Sequence, residues 1–168
     1  MVFNSNIHGD YSTDFHEKTN FDHILVLIQT EKGNRFGVYT SGNFSPVSAG
    51  LISNTIEIVK SDKCAFVFNL DTKKIFDVKK SQENNAITCD DFYTIYVGDD
   101  DLLIPNYFLS KDGISEFPKF FGEGASSNEL TGGEKKFKIS SVEAFQVLFY
   151  SEFGDEKNRI GEHLTYIK

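Results

Sequence analysis

The apolar residues of this chain come in short runs cut by polar turns, and that spacing constrains the fold more than any other feature. "HILVLIQT" (His23 to Thr30) is followed by "EKGN" and then "RFGVYTS" (Arg35 to Ser41). This predicts a strand, a tight turn and a second strand. The unbroken "ILVLI" run predicts that the first strand is covered on both faces. "CAFVFNL" (Cys64 to Leu70), "DTKK" and "IFDVKK" (Ile75 to Lys80) repeat the pattern, with Phe66, Phe68 and Leu70 alternating onto one face. "AITC" (Ala86 to Cys89) and "FYTIYV" (Phe92 to Val97) predict a third pair, with "DLLI" close behind. The best short helix candidate is "STDFHEKT" (Ser12 to Thr19), where Ser12 or Thr13 is the expected cap and Asp14 and Glu17 add early negative charge. The stretch from Ser110 to Glu134, rich in Gly, Ser, Asp and Glu, is expected to be a long loop with one helical turn near Ile114. Pro118 excludes a longer helix there.

These elements give a mainly β fold with short helices, a β-sandwich of two antiparallel sheets, built as a single domain. The core is expected over about 10–150, with 151–168 as a C-terminal extension. In that extension Ile160, Leu164 and Ile167 are spaced to dock as a final helix or strand. With Phe 17, Tyr 7 and Trp 0, phenylalanine is the main core filler. In the last apolar element, "KFKISSVEAFQVLFY" (Lys136 to Tyr150), Glu143 shares parity with Phe137, Ile139, Phe145 and Val147. An unbroken strand would send that carboxylate into the core, which is costly without a partner. Either Ser140 and Ser141 bulge and reset the alternation, or Glu143 is a buried, hydrogen-bonded acid.

The net charge of −8, with basic residues scattered along the chain, argues against nucleic acid and against anionic membrane surfaces. "ILVLI" is far short of the roughly 20 apolar residues a membrane helix needs. No basic-then-apolar leader opens the sequence, so a cytoplasmic protein is expected. Cys64 and Cys89 have no metal-binding spacing and are expected to be reduced.

Candidate chemistry is sparse. Gly37, inside a strand pattern just before Val38 and Tyr39, raises the question of a phosphate loop. Such a loop needs several glycines leading into a helix N-terminus, and none follows; close packing is the reading that fits. Asp99, Asp100 and Asp101 are adjacent and lack the alternate ligand spacing of a calcium loop, so a polar turn at Gly98 is expected. His8, His16, His23 and His163 form no zinc pattern, and no metal or cofactor is expected. Gly132 and Gly133 predict a tight entry into the last strand.

Taken in series, "DYSTDFHEKTN", "LVLIQTEKGNRFGVYTS", "KCAFVFNLDTKKIFDVKK", "AITC", "GDDDLLI" and "LTGGEKKFKISSVEAFQV" resemble a TLDc domain in order and spacing. The resemblance covers roughly Asp10 to Val147. It implies a two-sheet antiparallel sandwich with flanking helices. It also implies a role in protection from oxidative stress, since the family includes the oxidation-resistance proteins, and several family members bind the vacuolar proton-pumping ATPase and regulate its assembly. Phe15 and His16 resemble the family's "FH" element; Phe36, Gly37 and Tyr39 its "FGGY"-like hairpin; Gly98, Asp100 and Leu102 its glycine–acid–hydrophobic segment; and Gly133, Phe137, Glu143 and Phe145 its closing strand. Three departures stand out. Most of the helical segment that usually precedes "FH" is missing, Phe44 stands where a tryptophan is usual, and "EFPKFFGEG" diverges in the 110–130 loop.

The favoured expectation is a non-enzymatic interaction module with a protein partner, a subunit of that ATPase, contacted through Asp99, Asp100, Asp101, Phe117 and Phe120. Two alternatives compete. One is a hydrolase or thiol-based redox enzyme, with Glu143 as base, Asp100 or His16 as its partner, or Cys64 or Cys89 as reactive thiol. The other is a calcium-responsive binder using the aspartate cluster.

Overall fold

The computed structural model describes residues 1–46 and 58–149. The expected docking of 151–168 lies outside the described residues. Eleven described strands form one antiparallel sheet: β1 (Phe3–Asn4), β2 (Ile24–Thr30), β3 (Arg35–Thr40), β4 (Ile58–Lys60), β5 (Phe66–Asn69), β6 (Lys74–Asp77), β7 (Ile87–Cys89), β8 (Tyr93–Val97), β9 (Leu102–Pro105), β10 (Asp112–Ile114) and β11 (Lys136–Gln146). The order is β4-β7-β8-β9-β10-β11-β2-β3-β5-β6, and β1 adds to β11. Two short helices, α1 (Ser5–His8) and α2 (Ser12–Lys18), precede β2. The mainly β, antiparallel reading therefore holds, with the difference that β11 joins the two halves of the sheet into one.

The bulge in β11 makes that join. Residues Lys136 to Lys138 pair with β10, while Ile139 to Gln146 pair with β2, and the register shifts between Ile139 and Ser141. Ser140 is the extra residue, and its hydroxyl donates to the carbonyl oxygens of Gln29 and Thr30. One inserted residue exchanges the two faces. Phe137 and Ile139 are buried in the main core before the bulge, and Val142 and Ala144 after it. Glu143 and Phe145 thereby turn to the opposite face. Of the two readings of Glu143, the bulge is the correct one.

Both halves of the sheet feed one core. Val26, Ile28, Phe36 and Val38 come from β2 and β3, and Ile95, Val97, Leu102 and Ile104 from β8 and β9. Phe15 of α2 closes this core, meeting Phe3 edge-on with ring centroids 5.1 Å apart and Phe44 at 5.8 Å. Phe44 is fully buried there. A second cluster, Leu25, Tyr39, Phe66 and Phe68, lies on the other face of β2, β3 and β5, flanked by Leu27, Leu70 and Phe145. The uninterrupted apolar run of β2 exists because both faces are covered.

Gly37 sits opposite Leu27 and Phe68 in the ladder. An ideal Cβ there would lie 1.9 Å from the Val26 carbonyl oxygen and 2.7 Å from Cζ of Phe68. The glycine lets an aromatic ring and a neighbouring strand approach its backbone. Close packing was the right expectation.

Two local expectations fail. The cap of α2 is Tyr11, without a side-chain hydrogen bond, because the buried Ser12 hydroxyl donates instead to Asp91 O at 3.0 Å. The helical turn expected near Ile114 is strand β10, which pairs with β9 and β11. Its Gly113 faces the Phe137 ring, where a Cβ would come within 2.3 Å.

Candidate functional site

The β8–β9 connection carries the aspartate cluster. Gly98, Asp99 and Asp100 have φ of +61°, +50° and +76°, three successive left-handed residues, two of them not glycine. Aspartate tolerates this region better than most side chains. At Gly98 a Cβ would lie 2.6 Å from Asp101 Oδ2 and 2.9 Å from the Phe121 ring. The tight turn drives Asp101 inward, where it is fully buried.

Asp101 is the anchor of the divergent loop. Its carboxylate accepts the backbone N–H of Lys119 on Oδ1 and those of Phe120, at 2.6 Å, and Phe121, at 2.8 Å, on Oδ2. Its carbonyl accepts the Ser115 hydroxyl at 2.8 Å. Burial pushes this carboxyl above the usual range, while the three N–H groups and Lys79 pull it back. Asp100 contributes through its backbone, its carbonyl accepting Glu116 N–H at 2.7 Å. Its carboxylate meets Lys119 Nζ at 3.3 Å.

The three carboxylates therefore do not converge on a shared point. Asp101 points inward, Asp100 faces an ammonium, and Asp99 is exposed with its nearest carboxylate oxygen 4.0 Å from Lys119 Nζ. Lys119 also pairs with Glu116 at 3.0 Å, and Lys135 with Glu116 at 2.8 Å. The two lysines hold the half-buried Glu116 carboxyl down to about 2. Among the described residues, no group of His, Cys, Asp and Glu is disposed to hold a metal ion.

Burial corrects the expected contact surface. Phe117 is fully buried, 4.8 Å ring to ring from Phe76, and Asp101 lies beneath the loop, so neither can meet a partner. Asp99, Asp100 and the half-buried Phe120 remain at the surface.

The residues proposed for catalysis lie on separate elements with separate partners. Glu143 accepts Asn4 Nδ2 at 2.9 Å and stands opposite Leu27. His16 is buried between α2 and β8, with Nε2 3.2 Å from the Thr94 carbonyl oxygen. That carbonyl can only accept, so Nε2 carries the proton. Nδ1 has no hydrogen-bond partner. Burial lowers the His16 pKa below 6.5, against opposing contributions from the Thr94 hydrogen bond and from Asp91 and Asp90. Asp100 belongs to the loop anchor. The structure does not assemble these three into one site.

Neither cysteine is in a disulfide. Burial pushes Cys89 up to about 11, which leaves essentially no thiolate at neutral pH. Cys64 lies half-buried beside the second cluster.

The remaining pattern residues pack the scaffold. Tyr39 stacks on Phe66 with centroids 5.1 Å apart, and its hydroxyl meets His23 Nδ1 at 2.9 Å. Gly133, at φ +94°, turns the chain into β11. Sequence reasoning missed Asp62, a buried carboxylate that accepts the Thr40 and Ser41 hydroxyls and the N–H groups of Ser41 and Cys64. An isolated acid between polar residues carries no signal of such a role.

A family model for the TLDc domain matches residues 1–148 of the 168. The chain belongs to the TLDc family. No curated protein matches the chain significantly. The TLDc match takes in the first ten residues, and the structure agrees. Phe3 is fully buried and pairs with Ala144, so β1 belongs to the scaffold of this TLDc domain. Among the described residues, no helix is long and apolar enough to cross a membrane.

Proposed function

We propose that this TLDc domain is a non-enzymatic protein-binding module of the oxidative or general stress response. It acts in the cytoplasm by docking on a subunit of the vacuolar proton-pumping ATPase. The observation that carries this reading is family membership over residues 1–148, since several TLDc proteins bind that enzyme. The separate partners of His16, Asp100 and Glu143 support the non-enzymatic part.

The contact is formed by Asp99, Asp100 and Phe120, the surface members of the anchored loop. Loops on a rigid scaffold are where partner specificity resides. The Asp101 cradle holds this one in a single shape before binding, which lowers the ordering cost of association. The test is reconstitution with purified vacuolar ATPase from the same organism. Direct binding and altered ATP-driven proton pumping are expected, both weakened by Asp99→Lys/Asp100→Lys. Neither binding nor an effect on pumping would refute the ATPase assignment. Substrate turnover abolished by Glu143→Gln would refute the non-enzymatic one.

A further inference from the structure

A second exposed surface lies at the opposite end of the β8–β9 hairpin, roughly 20 Å from Asp99 at about 3.3 Å per strand residue. There Tyr11 is 48% exposed, Phe92 67%, Tyr107 40% and Leu109 40%. They come from three segments that hydrogen bonds stitch together. Tyr107 N–H donates to Asp10 O at 2.9 Å, and Leu109 N–H to Asp10 Oδ2 at 3.2 Å. Asn106 N–H donates to Phe92 O at 3.1 Å, and Ser12 N–H to Asn106 Oδ1 at 3.0 Å. Asp90, turned inward, accepts the N–H groups of Phe92 and Tyr93 and fixes the loop that presents the Phe92 ring.

This backbone holds the aromatics out at a cost. Tyr107 has φ of +61°, an unfavourable conformation for a bulky residue that persists only where surrounding bonds over-determine it. The Tyr11 and Tyr107 rings meet edge to face at 4.7 Å. Exposed, pre-positioned aromatics of this kind supply the dominant energy of protein interfaces.

Charge selects the partner. Asp10, Asp14, Glu17 and Asp91 lie in the same segments, against two ammonium groups, Lys18 and Lys111. Lys111 Nζ sits 5.2 Å from the centroid of the Tyr107 ring, so a cation on an aromatic face is chemistry this patch already uses. A second copy of the chain would bring another −8 and the same acidic rim.

We propose that the Tyr11–Phe92–Tyr107–Leu109 patch docks a basic segment of another protein, one that lays an arginine on the exposed rings with an apolar side chain beside it. This goes beyond the ATPase reading and uses a different surface.

The test probe is a phage-displayed library of random 12-residue peptides selected against the intact chain. Enriched peptides are expected to pair Arg with a neighbouring apolar residue, and to bind Tyr11→Ser/Phe92→Ser at least tenfold more weakly. If the double variant melts early, Phe92→Ser alone serves, since that ring stands mostly in solvent. Asp91→Lys is expected to weaken the same peptides. No enrichment, acidic or uncharged winners, or equal binding to the variants would overturn the proposal. So would self-association of the wild-type chain that Phe92→Ser abolishes. Asp99→Lys/Asp100→Lys is expected to leave peptide binding unchanged, which separates this proposal from the ATPase reading.

Discussion

Asp101→Asn is the most informative single substitution, because two effects oppose each other at that position. The change removes a buried charge whose burial pushes its carboxyl upward, and this alone would stabilise the fold. It also replaces one acceptor oxygen by an NH2 group. If the amide oxygen stays with Phe120 and Phe121, the NH2 faces the N–H of Lys119, donor against donor. Hydrogen bonds to a charged group are worth about 1.5–3 kcal/mol against about 0.5–1.5 for neutral pairs. Losing one and weakening two costs roughly 3–5 kcal/mol, and relief of charge burial returns part of it. A protonated carboxyl can turn its one hydrogen aside, whereas a carboxamide cannot. The expected net loss is about 2–4 kcal/mol, hence roughly 5–15 °C in Tm for a chain of this size. Thermal and urea melts at pH 7 read it directly. A variant as stable as the parent, or more so, would show that the cradle is incidental and that charge burial dominates.

Other outcomes follow from the same geometry. Gly37→Ala would place a methyl against the Val26 carbonyl and the Phe68 ring, and is expected to destabilise by about 3 kcal/mol or more or to prevent folding, as read by urea melts and soluble yield. His16, depressed by burial, is neutral in the folded state near pH 7. Its contribution is full above the unfolded value near 6.5 and is lost as pH falls through the lower folded pKa. NMR titration should place its midpoint below 6.5, and a midpoint above that value would contradict the burial argument. Cys89, at about 11, should resist alkylation in the native protein at pH 7.5 and react only on unfolding. Glu143→Gln keeps an acceptor for Asn4 and should shift Tm by no more than about 2 °C.

The hairpins were legible because their alternation and turn composition are local properties. The pairs β2–β3, β5–β6 and β7–β8 follow the predicted segments closely. The bulge was half legible: Glu143 on a core parity signalled a problem, and the two serines marked the place to solve it. Strand β10 was hidden because its three residues include Gly113, whose value lies in the Phe137 ring packed against it. The Ser12 cap was misread because its hydroxyl finds Asp91, a partner distant in sequence. Asp101 and Phe117 looked like a polar turn and a loop aromatic. Their burial depends on the loop folding back over the turn, a tertiary fact no short window contains. Asp62 gave no sign at all for the same reason.

On the proposed function, this chain binds a protein partner on a scaffold whose titratable groups hold shape. The most direct measurement is a calorimetric titration of the intact chain into the purified peripheral sector of the vacuolar proton-pumping ATPase. A saturable isotherm is expected, unchanged by Glu143→Gln and weakened at least tenfold by Asp99→Lys/Asp100→Lys. A flat isotherm at the highest attainable concentration of the intact chain would contradict it.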